Sequence, residues 1–147
     1  MRVAIIGYSG AGRTTLANAL GGVLGIRPIQ QLEDLWTPLA GTEPLVLDGF
    51  PTTVAELEQI DGKAPEGARV DHVLYLLASS DIRLERMARM VTAGADPAEA
   101  RDRMLRAADL KDVRNLLEPT GRLTVIDASR SRSVVLASAF DALGIGI

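Results

Sequence analysis

The first apolar run, Val3 to Ile6, is short, rich in β-branched residues and closed by Gly7, the pattern of a central strand buried on both faces. The period then changes. From Arg13 to Leu24 the apolar positions Leu16, Ala19, Leu20, Val23 and Leu24 recur at spacings of three and four, which predicts an amphipathic helix stopped by Gly25 and Pro28. Leu45 to Leu47 reads as a second strand closed by Asp48-Gly49, with Pro51 as a first helical residue ahead of a helix over Thr53 to Ile60. Val70 to Leu77 reads as a third strand. Ser79 or Ser80, with Asp81, caps the helix after it, which carries Leu84, Met87, Ala88 and Val91. Asp96-Pro97 opens a further helix through about Leu117, Leu123 to Ile126 is a fourth strand after the turn Glu118 to Gly121, and Ser131 to Leu143 is a closing helix. Arg27 to Gln30 reads as a weaker fifth strand and Thr37 to Pro44 as a surface loop.

Strands alternating with helices predict an α/β fold in three layers, a parallel sheet of about five strands with helices on both faces. The 147 residues fit a single domain spanning 1–147. At that length roughly two-thirds of the unfolded surface is buried on folding, enough for a core without staples. The chain has no cysteine, which excludes thiolate catalysis, Cys-based zinc sites and disulfides and suits a reducing compartment, so a cytoplasmic location is expected. The opening MRVAIIGYSG is too briefly apolar for a signal peptide or a membrane span, and no membrane partner is expected. A net charge of −3 and only 3% aromatic residues argue against a nucleic-acid partner, so any anion must be bound locally. Fourteen arginines against two lysines supply the cations for that.

The motif that carries chemistry is Gly7-Tyr8-Ser9-Gly10-Ala11-Gly12-Arg13-Thr14, which has P-loop spacing with arginine where lysine is the rule. Glycines let backbone N–H groups converge on phosphate oxygens, and the following helix points its positive end at the same anion. Candidate nucleotide contacts are Gly7, Ser9, Gly10, Ala11, Gly12, Arg13, Thr14 and Thr15, with the Thr14 hydroxyl a candidate Mg²⁺ ligand. A guanidinium is wider and planar where an ammonium is compact, so Arg13 is expected to keep phosphate binding and to impair transfer.

Val46-Leu47-Asp48-Gly49-Phe50-Pro51-Thr52-Thr53 resembles the V-L-D-G-F-P-R-T signature of the adenylate kinase and nucleoside monophosphate kinase family. The segment Ile6 to Gly12 is also similar to small P-loop kinases known as DNA topology modulation proteins, and the likeness extends over most of the chain. It implies ATP or GTP with Mg²⁺ as the donor and a nucleotide or another small molecule as the acceptor. By that resemblance Arg86 packs on the donor base, Arg103 clamps the transferring phosphates, and Leu123 to Ser129 forms the strand and loop that hold adenine. Asp48, at the end of a strand beside the P-loop, is a candidate Mg²⁺-orienting carboxylate or a turn aspartate. Arg13, Asp48, Arg86 and Arg103 are thus the candidate catalytic set.

The departures from the pattern bear on the acceptor. Thr52 stands where the family's signature has a phosphate-gripping arginine, and Gln31 and Trp36 stand in the segment that carries another. The roughly twenty residues between Leu24 and Leu45 and the few between Met90 and Asp96 predict reduced acceptor and lid segments. Arg83, Arg86 and Arg89 could equally form a solvated face with their stems over the core, Glu56, Glu58 and Asp61 read as another solvated face, and the lone His72 reads as structural. Trp36 either stacks on a base or fills the core edge. Arg101, Arg103 and Arg106 with their acidic neighbours read as intrahelical pairs. Three readings follow: a small phosphotransferase, a nucleotide-binding protein without turnover, or a protein with no nucleotide site. The acceptor, the base and the oligomeric state do not follow from the sequence.

Overall fold

The computed structural model describes residues 1–8, 11–98 and 110–145. Their four strands are β1 (Arg2–Gly7), β2 (Leu45–Asp48), β3 (His72–Leu77) and β4 (Leu123–Asp127). All pair in parallel in the order β2-β1-β3-β4. The helices are α1 (Arg13–Leu24), α2 (Trp36–Ala40), α3 (Val54–Lys63), α4 (Ser80–Thr92), α5 (Leu110–Leu117) and α6 (Arg132–Ala142), with single 3-10 turns at Leu32–Asp34 and Glu118–Thr120.

Alternation along the buried strands assigns the two helical layers. Val3, Ile5, Val46, Leu74, Leu76 and Ile126 face Leu16 and Leu20 of α1 and Ala139 and Phe140 of α6. Ala4, Ile6, Leu45, Leu47, Val73 and Tyr75 face Leu39 of α2, Leu57 and Ile60 of α3, and Leu110, Val113 and Leu117 of α5. Both faces of the central strands are dry, which is why Val3 to Ile6 of β1 carry no polar alternate. The three-layer α/β architecture read from the sequence is the one observed.

The sheet has four strands where about five were expected. Arg27 to Gln30 contributes only one bridge, Ile29 to Leu47, because Pro28 has no N–H to donate and the chain turns into the 3-10 segment at Leu32. Pro51 is likewise not helical. It follows a cis peptide bond, and Thr53 caps α3 with its hydroxyl 3.0 Å from the Glu56 N–H. Residues 36–40 form α2 within the stretch expected as a loop, anchored by the fully buried Leu35 and Leu39. Half of the helix expected from Asp96 to Leu117, residues 99–109, lies outside the described residues; its last eight residues are α5.

Candidate functional site

In a parallel sheet every strand ends at the same edge, and here Gly7, Asp48, Leu77 and Asp127 end there together. α1, α3, α4 and α6 all begin at that edge. A bond of this kind orders the site: the Thr14 hydroxyl donates to Asp48 Oδ2 at 2.9 Å, joining the first turn of α1 to the end of β2. Asp48 is 8% exposed, one of two polar residues buried among those described. Its Oδ2 also accepts from Gln30 Nε2 at 3.2 Å. Through these bonds the carboxylate reaches across to α1 and to the segment before the 3-10 turn.

Two glycines at this edge have close neighbours. A Cβ on Gly7 would lie 2.8 Å from the Leu76 carbonyl oxygen, and one on Gly49 would lie 2.9 Å from Arg13 Nη1. Gly49 also sits at φ 97°, where side chains are strained. The Arg13 guanidinium thus lies over the Asp48-Gly49 pair beside β2.

On the other side of the P-loop, toward β4, lies a cavity of about 260 Å³. Ala11, Gly12, Thr15 and Leu16 form one wall and Val135 and Leu136 of α6 another. Arg86, Arg130 and Arg132 stand around it, and Arg86 Nη2 donates to the Ala128 carbonyl at 2.7 Å, tying α4 to the loop after β4. In that loop Asp127 accepts from the Ser129 hydroxyl and from the Ser129 N–H at 3.1 Å. These bonds hold the Asp127 carboxyl below the usual carboxylate range.

The structure thus brings together Gly7, Gly12, Arg13, Thr14, Thr15, Asp48 and, through the cavity, Ala11 and Arg86. Ser9, Gly10 and Arg103 lie outside the described residues. Of the arginines on α4, Arg89 pairs with Glu85 at the surface, whereas Arg83 lies 4.8 Å from the centre of the Tyr8 ring. Arg114 lies 5.4 Å from the ring of Tyr75; burial, first, and then the neighbouring Tyr8 push the Tyr75 hydroxyl up in pKa. The expected solvated acidic face is also partly engaged. Glu56 accepts from the Thr52 N–H at 2.8 Å and hydroxyl at 2.9 Å, and Asp61 forms a two-pronged pair with Arg122 at 2.9 and 3.0 Å. Trp36, the first residue of α2, packs against the core.

Gln30, Arg130 and Arg132 were not singled out from the sequence. The two arginines had a signal, since they follow the carboxyl end of a strand in an α/β sheet, where ligands bind. Gln30 had none beyond the weak strand before it.

No family model and no curated protein matches this sequence. A solved structure does: a gluconokinase from Sinorhizobium meliloti 1021 aligns with a TM-score of 0.69 over 97% of this chain and 91% of that one. The fold is that of a P-loop kinase. At 17% identity the likeness is one of fold, and it does not single out the adenylate kinases from which the sequence motifs were read. No helix among the described residues is long and apolar enough to cross a membrane.

Proposed function

We propose that this chain binds ATP or GTP with Mg²⁺ and transfers the terminal phosphate to a small acceptor, in the manner of an adenylate-kinase-like phosphotransferase with reduced acceptor and lid segments. The observation that carries the reading is the Thr14 to Asp48 hydrogen bond at the mouth of the P-loop, with the cavity on its far side. The donor base and sugar would occupy the cavity, and the phosphates would run past Gly12 toward Asp48. The acceptor would then lie on the β2 side, near Gln31 and Thr52.

The residues fit Mg²⁺. A hydroxyl and a carboxylate are hard oxygen donors, and that ion takes few protein ligands while keeping waters and phosphate oxygens. Thr14 donates its one proton to Asp48, so its lone pairs remain for a cation, and Asp48 would hold metal-bound waters. The bound ion would neutralise charge between the terminal phosphates. Arg13, over Gly49, would stabilise charge on the transferring phosphate, and Arg86 would hold the donor end through Ala128. Arg103 keeps its place as a phosphate-clamping candidate by the sequence resemblance.

A thermal-shift panel of nucleotides with and without Mg²⁺ tests the donor site, since a ligand that binds only the folded state raises its melting temperature. Transfer from ATP or GTP across a panel of monophosphates and polyols then tests the chemistry. Failure of every nucleotide to shift the melting temperature sinks the reading. A second reading is favoured by Arg13: a nucleotide-binding protein without turnover. Micromolar nucleotide binding with neither transfer nor hydrolysis, unrescued by Arg13→Lys, establishes that one.

A further inference from the structure

The segment before the 3-10 turn has a use that its failure as a strand conceals. Ile29 makes two backbone bonds to β2, its N–H to the Val46 carbonyl at 2.8 Å and its carbonyl to the Asp48 N–H at 2.9 Å. These fix the backbone of Gln30 beside Asp48, and the Gln30 amide then donates to Asp48 Oδ2. We infer that Gln30 is a positioning residue for Asp48, selecting which carboxylate oxygen faces the metal; the inference rests on the Mg²⁺-nucleotide reading of the site.

A carboxylate oxygen has about two lone-pair sites in its plane. Both on Oδ2 are taken, one by Thr14 and one by Gln30, so Oδ1 is the oxygen left for a metal-bound water. Without the amide, Asp48 rotates more freely and a water competes for Oδ2. The donor at this place must be neutral. A lysine or arginine side chain here would neutralise the carboxylate and take over the charge for which the metal is bound, whereas an amide orients the group and leaves its charge intact. Gln30 is exposed apart from this contact, so no core packing accounts for its orientation.

The test is calorimetric titration of the full chain with ADP, with and without Mg²⁺, for the native protein, Gln30→Leu and Gln30→Lys, each checked for an unchanged melting temperature without ligand. In Gln30→Leu, Mg²⁺-free affinity stays within about twofold while the gain in affinity conferred by Mg²⁺ falls about tenfold, the loss expected for one hydrogen bond. In Gln30→Lys the Mg²⁺ gain disappears. A merely structural role would weaken both titrations equally. Equal Mg²⁺ gains in all three proteins overturn the inference and leave the donor site standing. No ADP binding by the native protein overturns the donor site, and this inference with it.

Discussion

On the proposed phosphotransferase reading, Arg13 is the residue whose replacement would act most directly on turnover. Its guanidinium lies over Gly49, where the absence of a side chain gives it room. Arg13→Lys restores a compact ammonium at the transferring phosphate, and kcat is expected to rise about tenfold or more with ADP affinity nearly unchanged, measured by coupled turnover and calorimetry. Arg86→Ala acts on the other half of the site. It removes a charged donor from the Ala128 carbonyl, and nucleotide affinity should fall about tenfold with Mg²⁺ dependence intact, in the same titrations. The P-loop was legible in the sequence because its glycines fall between a buried strand and an amphipathic helix, and the Asp48-Gly49 pair through its resemblance to a kinase signature. Gln30 and the Tyr8–Tyr75 contact were not legible, because each depends on which segments the sheet brings side by side.

At the scale of elements, local signals were read best where they were periodic and worst where one bond decided. β1 and α1 matched their expected spans, since burial on two faces and a 3.6-residue period each leave a strong imprint. The start of α3 did not. Its cap is Thr53, and Glu56 reaches back to Thr52, a tertiary choice that the sequence Pro-Thr-Thr leaves open. Thr53→Ala should cost about 1 kcal/mol in denaturant unfolding, the ordinary value of a helix N-cap. β3 and the P-loop are joined by Tyr75, whose pKa burial and Tyr8 raise above its unfolded value. Tyr75 therefore contributes stability that is complete below about pH 10 and is lost as the pH climbs through its folded value. Alkaline unfolding of the native protein should begin there, and Tyr75→Phe should flatten that part of the stability curve; an unchanged curve would contradict the assignment.

Over the whole molecule, the parallel sheet divides labour between its two edges. The carboxyl ends of the strands carry the candidate site, and the amino ends carry a structural knot around Arg2. Arg2 is 4% exposed, and all five of its N–H donors are used on backbone carbonyls. It reaches Glu43, Leu39 and Ala68 at 2.9 Å, Pro38 at 3.2 Å, and Gly41. One side chain on β1 thereby fastens α2, the segment after it and the turn before β3 to the sheet. Burial pulls its pKa down, but the guanidinium stays charged at every pH at which the protein is folded. Arg2→Met keeps the aliphatic stem and strands those carbonyls, so unfolding should become about 3 kcal/mol easier. At about 2–4 °C per kcal/mol for a chain of this size, the melting temperature should fall roughly 10 °C. ADP affinity at a temperature where the variant is folded should stay within about twofold, because Arg2 lies at the opposite edge from Thr14 and Asp48. A parallel loss of affinity would mean that the knot also shapes the site, and that the two edges are coupled through β1.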